Sequence, residues 1–126
     1  YSAACPLLVP LVEEGWLKKP ETRMIVKKYL LPLKTRQIDT LILGCTHYPL
    51  LKPIIQHKIG ARVRVISSST AVAEQIRIFL AGSPDFDRTL SKNGQAEFFV
   101  SDITPQFEKT AGTVIRHPIA LKQVRL

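Results

Sequence analysis

The segment Thr40-Leu41-Ile42-Leu43, closed by Gly44, constrains the fold more than any other part of the chain. Its β-branched and aliphatic side chains run continuously rather than alternating with polar ones, the pattern of a strand buried on both faces of a parallel sheet. Parallel neighbours need a crossover, usually helical. The sequence supplies one: Tyr48-Pro49-Leu50-Leu51 opens a helix expected to reach about Lys58, and a second apolar strand is expected over Val63–Ile66 after Gly60. Ser67-Ser68-Ser69-Thr70 offers N-cap side chains for a helix from about Ala71 to Leu80. Strand and helix alternate again towards the end, with a strand expected over Glu97–Val100, a helix over Thr104–Val114 and a short strand over Gln123–Leu126. Such alternation predicts an α/β fold, a three-layer sandwich with a mainly parallel sheet.

Before the first strand, Leu7–Glu14 is an apolar run ending at Gly15, suited to a short helix or an extended segment. Pro20 and Glu21 begin a helix well, since proline tolerates the first helical position and a carboxylate there meets the positive dipole end. Pro32 is expected to kink or end that helix. Residues 82–94, polar and bounded by glycines, read as a loop.

Composition removes several function classes. Hydrophobic residues make up 45% of the 126-residue chain and charged residues 22%, which excludes a disordered tail. No apolar run approaches the roughly 20 residues that cross a bilayer. The opening at Tyr1 has no signal-like segment, so it is not read as a secretion address. Two cysteines make no disulfide scaffold and fit a reducing cytoplasm. The net charge of +8 raises nucleic acid as a partner. Most of the excess lies between Lys18 and Arg36, where Arg23 and Lys27 sit one helical turn apart and Val26, Leu30 and Leu33 follow the complementary apolar spacing. That is a solvated helix face. With only Tyr29 and Trp16 near it, the run lacks the stacking aromatics of a single-strand groove, and the bland reading is preferred.

Chemistry concentrates in Leu43-Gly44-Cys45-Thr46-His47-Tyr48-Pro49-Leu50. Open α/β sheets bind ligands beyond the carboxyl ends of their strands, where Cys45 falls. A helix start just after it offers backbone N–H groups near Thr46 and His47 for a carboxylate, and a field that favours thiolate over thiol. A buried structural cysteine is an equal alternative from position alone. His47 is placed to assist the cysteine or a substrate group, although two residues along a turning backbone is poor geometry for direct contact with the thiol. A histidine bonded to backbone is the simpler account of it. Cys5, His57 or His117 would have to complete any metal site, but no Cys-x-x-Cys or His-x-x-x-His spacing supports one. No glycine-rich phosphate loop occurs. Glu13 and Glu14 read by themselves as exposed carboxylates at a helix end.

The run Asp39-Thr40-Leu41-Ile42-Leu43-Gly44-Cys45-Thr46-His47-Tyr48-Pro49-Leu50-Leu51 resembles the second cysteine motif of the glutamate racemases. The opening Ala4-Cys5-Pro6-Leu7-Leu8-Val9-Pro10-Leu11-Val12-Glu13-Glu14-Gly15 is similar to the segment that precedes it in that family, and the 32-residue interval from Glu13 to Cys45 fits as well. Ser68–Ile76 and the tail from Ala96 resemble the family's closing portion more loosely. The family's early Asp-Ser motif and its first cysteine, in Ala-Cys-Asn-Thr, do not occur here, and Cys5 in Ala-Cys-Pro is not read as that cysteine. Many relatives carry an acidic residue where this chain has Ser67-Ser68.

The resemblance implies the carboxy-terminal half of a cofactor-independent enzyme that interconverts L- and D-glutamate with two cysteines on opposite faces of the α-carbon, making D-glutamate for peptidoglycan in the cytoplasm. It assigns catalysis to Cys45, His47 and Glu13, and substrate binding to Thr46 and His47. It makes residues 1–66 the end of a second lobe and residues 67–126 a segment returning to the first. The implied partners are glutamate and the amino-terminal half of the same enzyme; a homodimer is compatible, and membrane and nucleic acid are not expected. An aspartate racemase relative and a non-catalytic basic binding module stand as the alternatives.

Overall fold

The computed structural model describes residues 1–115 and 119–125. Two compact units make up the chain, Tyr1–Ile78 and Phe79–Leu126.

In the first unit, α1 (Leu8–Glu13) precedes α2 (Pro20–Thr35), β1 (Thr40–Leu43), a 3₁₀ turn at Tyr48–Leu51, α3 (Lys52–Ile59) and β2 (Arg64–Ser67). The strands β1 and β2 pair in parallel, Thr40 opposite Arg64 through Leu43 opposite Ser67. The α/β class with parallel strands is therefore realised. The core is formed by Leu8 and Val12 of α1, Val26, Leu30 and Leu33 of α2, Leu51, Ile55 and Ile59 of the crossover, and Leu43, Val63 and Val65 at the sheet. Fully burying a side chain of this kind contributes about 1.5–3 kcal/mol.

Helix α2 follows its sequence pattern: Thr22, Val26, Leu30 and Leu33 are buried while Arg23, Lys27 and Lys28 face solvent. Pro32 neither ends it nor stops its hydrogen bonding, and the helix continues to Thr35. Pro32 and Lys28, the residue whose carbonyl loses its helical partner, both lie on the exposed face, so the missing bond falls on the solvent side rather than in the core. Leu30 and Leu33 on the opposite face hold the last turn against the core. Thr22 Oγ1 donates to the Trp16 carbonyl at 2.7 Å and ties down the turn before α2. That turn passes through Gly15 at φ 72°, a conformation that disfavours other residues.

Strand β1 departs from the expectation of burial on both faces. Leu41 is half-buried and Leu43 buried, whereas Thr40 is exposed and Ile42 is 67% exposed. Within this unit β1 has a single strand partner and its core-facing side chains alternate, so the apolar run covers one face only. The crossover matches in outline but begins as 3₁₀ before becoming α-helical at Lys52. Gln56 Nε2 donates to the carbonyls of Gly60 (2.9 Å) and Val63 (3.0 Å), fastening the end of α3 to the entry of β2.

Helix α4 (Ser68–Gly82) starts at Ser68, three residues earlier than expected, so Ser68–Thr70 form its first turn instead of preceding it. The hydroxyls of Ser67 and Ser69 lie 2.8 Å apart. In the second unit, residues 82–94 are not simply a loop: α5 (Pro84–Thr89) occupies part of them. Proline begins that helix, Asp85 and Asp87 occupy its first turn, and Phe86 meets Phe79 edge-on at 5.6 Å. β3 (Phe98–Val100) and β4 (Leu121–Gln123) pair in parallel around α6 (Pro105–Ile115). Thr104 Oγ1 accepts the Phe107 N–H at 3.1 Å as its N-cap. The last strand thus starts two residues before the expected Gln123–Leu126 and overlaps it only at Gln123; Leu126 is outside the described residues. Among the described residues no helix is long and apolar enough to cross a membrane.

Candidate active site

Leu43 is the last residue of β1, and the chain turns at Gly44 into Cys45-Thr46-His47 before the 3₁₀ turn. The Tyr48 N–H donates to the Cys45 carbonyl at 3.2 Å, which curls this loop tightly. As a result Cys45 Sγ lies 3.8 Å from His47 Nδ1, within reach for a sulfur hydrogen bond. The expectation of poor geometry between these two residues is overturned, because the curl brings positions two apart onto one side. Thr46 Oγ1 is 3.4 Å from the same nitrogen. The other ring nitrogen, Nε2, is 3.5 Å from Glu13 Oε1 at the end of α1. Glu13 is exposed but not merely solvated.

These contacts suit one chemically useful tautomer. With its proton on Nε2 directed at the Glu13 carboxylate, the imidazole turns the Nδ1 lone pair towards the thiol. Cys45, His47 and Glu13 then form a line along which a proton leaving or entering sulfur can be accommodated. The helix that follows contributes less than expected. Its first turn is 3₁₀, four residues long, with His47 at its N-cap and no side-chain cap. The polar partner at the sulfur is therefore His47 rather than a long helix dipole.

The other candidates separate cleanly. Cys5 stands beside Tyr48, and burial pushes its thiol above the ordinary 9.0, partly offset by the Tyr48 hydroxyl. Its sulfur is therefore a protonated thiol near neutral pH. Tyr48 is itself raised above 10.0, first by burial and then by Cys5, Cys45 and Tyr29. Glu14 is exposed, as is His57 in the last turn of α3. His117 lies outside the described residues. Among the described residues, no three His, Cys, Asp or Glu side chains gather as a metal-ligand set.

An open cleft of about 780 Å³ runs along β1 and the amino-terminal segment, touching Cys5, Leu43, Gly44 and Tyr48. Cys45, Thr46, His47 and Glu13 do not line it. The cleft has titratable residues of its own, Cys5, Arg36, Asp39 and Tyr48, but the thiol, imidazole and carboxylate that stand within contact of one another are those of the loop and α1, and the candidate chemistry is placed there. Two hydroxyls escaped the reading of the sequence. Tyr48 Oη donates to the Cys5 carbonyl and Tyr29 Oη accepts the Leu7 N–H, both at 3.4 Å. The signal for Tyr48 was its place directly after His47.

No family model matches the chain. It is 41% identical over all 126 residues to a glutamate racemase of Persephonella marina, of which it covers 46%. Over 104 residues, 82% of the chain, it is 48% identical to a glutamate racemase of Neisseria meningitidis, covering 38% of that protein. Among solved structures, a glutamate racemase isoform from Bacillus anthracis superposes with a TM-score of 0.82 at 35% identity, over the whole of this chain and 47% of that one. The Francisella tularensis glutamate racemase in complex with D-glutamate gives 0.80 at 29% identity, over 98% of this chain and 46% of that one. The chain spans about half the length of the first of these curated relatives, an overlap consistent with a carboxy-terminal half.

Proposed function

We propose that this chain, a homologue of the glutamate racemases, supplies one of the two thiols of a cofactor-independent glutamate racemase. The observation that carries the reading is the line Cys45–His47–Glu13, at 3.8 and 3.5 Å, immediately beyond the carboxyl end of a parallel strand. The α-hydrogen of an amino acid is a very weak acid. Its removal needs a base held against it and an environment that stabilises the developing carbanion. On one enantiomer the Cys45 thiolate takes the α-proton: the C–H bond breaks, an S–H bond forms, and the electron pair remains on the substrate. A thiol on the opposite face then delivers its proton to the α-carbon and completes the inversion. On the other enantiomer Cys45 is the donor.

His47 steadies both states of the sulfur, Glu13 orients His47, and the Thr46 hydroxyl binds the substrate with His47. The opposing cysteine belongs to the amino-terminal half of the enzyme, so this chain by itself is inactive. In the same reading residues 1–66 finish the second lobe and residues 67–126 return to the first. The product, D-glutamate, serves peptidoglycan synthesis in a bacterial cytoplasm.

The test is Cys45→Ser in the full-length enzyme. Serine is nearly isosteric, but its hydroxyl yields no useful anion near neutral pH. Racemisation followed by circular dichroism should stop while calorimetric glutamate binding persists. Near-wild-type kcat would refute the two-thiol assignment, and loss of glutamate binding together with turnover would make Cys45 a binding or structural residue.

A further inference from the structure

Helix α1 is six residues long and carries Glu13 at its far end, yet its own start is weakly secured. Leu7, at the N-cap, adopts a helical conformation and provides no side-chain cap. Only Leu8 and Val12 of this helix are buried. What holds the start comes from elsewhere. The Cys5 carbonyl accepts the Leu8 N–H at 3.1 Å and the Tyr48 hydroxyl at 3.4 Å. The Leu7 N–H donates to Tyr29 Oη at 3.4 Å.

Tyr48 is next in the chain to His47, and Glu13 lies 3.5 Å from the His47 ring. The loop bearing Cys45 and His47 therefore grips the segment bearing Glu13 at two points: by carboxylate and imidazole at the end of α1, and by phenol and carbonyl just before its start. A short helix fixed at one end pivots; fixed at both, it keeps its far carboxylate in register with the ring. Burial keeps the Tyr48 phenol protonated and hence a donor.

We infer that Tyr48 is a positioning residue of this site, its hydroxyl holding α1 through the Cys5 carbonyl so that the Glu13 carboxylate meets His47. The inference rests on the proposed function of the loop.

Tyr48→Phe in the full-length enzyme keeps the ring and removes only the hydroxyl. A bond of 3.4 Å is long for O–H···O and belongs at the weak end of such contacts. The expected loss of kcat is accordingly small, about threefold, with KM held within about twofold. The discriminating measurement is a double-mutant cycle with Glu13→Gln. If Tyr48 acts through Glu13, its removal costs nothing further once Glu13 is replaced. A full additional loss in the Glu13→Gln background, or unchanged kcat in Tyr48→Phe alone, would overturn the inference. Cys45→Ser, measured alongside, separates the two levels. An inactive Cys45→Ser with additive Tyr48 and Glu13 effects removes the positioning role alone, whereas an active Cys45→Ser removes the reading of the loop and this inference with it.

Discussion

Replacing Glu13 by Gln tests the size of the contribution that the site geometry permits. The carboxylate is 60% exposed, the imidazole 33%, and their closest atoms are 3.5 Å apart. For an imidazolium formed as the proton moves, Coulomb's law between unit charges at that separation gives about 1.2 kcal/mol in bulk water and about 4.7 kcal/mol at an effective dielectric constant of about 20, and the neutral ring gains less. With one partner mostly in solvent, the water limit governs, and exposed pairs measured by double-mutant cycles give about 0.2–1 kcal/mol. If the whole of that acts on the transition state, Glu13→Gln lowers kcat by up to about fivefold. Unfolding stability should fall by less than about 1 kcal/mol for the same reason. Racemisation by circular dichroism and urea unfolding, both on the full-length enzyme, give the two numbers. The gap between wild type and variant should narrow in about 1 M salt, where the screening length falls to about 3 Å. A loss of a hundredfold or more would refute the reasoning, since no solvent-exposed pair of this geometry supplies it and Glu13 would have to meet substrate or carry a proton itself. No loss at all would mean that the contact plays no part in turnover.

Two further outcomes follow from packing and titration. Leu51 is fully buried at the end of the 3₁₀ turn behind the reactive loop, and Leu51→Ala should cost about 2.7–5 kcal/mol in urea unfolding of the full-length enzyme; a cost below about 1 kcal/mol would mean that the turn repacks freely. Cys5 and Tyr48 have folded values raised above 9.0 and 10.0, so in the alkaline range the folded chain retains protons that the unfolded chain has lost. Their stabilising contribution is complete below pH 9 and is lost as pH rises through the folded values, so unfolding stability should decline on the alkaline side, with Cys5→Ala flattening the first part of that decline; stability rising above pH 9 would contradict the sign.

The readable parts of the fold were those where neighbouring residues carry the whole cause. The α2 face follows from Val26, Leu30 and Leu33 at helical spacing, and β1 from Thr40 and three aliphatic residues before Gly44. Pro32 misled because its cost depends on which side of the helix meets water, a fact of packing rather than of local sequence. Ile42 misled because a purely apolar run does not tell how many faces the remaining structure covers. Helix α5 was hidden by its polarity: the aspartates that favour its first turn also resemble a loop. At the site, Cys45, Thr46 and His47 were legible as a motif. The 3.8 Å approach of sulfur to imidazole was not, since it depends on how the backbone curls between them, and neither was the Tyr48 grip on Cys5, which spans most of the first unit's sequence.

The parallel pairing of β1 with β2 also has a kinetic consequence. A hairpin can zip up from its turn, but Thr40 meets Arg64 only after the reactive loop, the 3₁₀ turn and α3 have been brought round together. Closing that long segment costs chain entropy before any strand contact compensates for it. The curl that joins Cys45 to His47 is local and can form on its own, but its place beyond the end of a paired strand exists only once β2 has docked. A nascent chain would therefore carry the loop before it carries the sheet end that positions it.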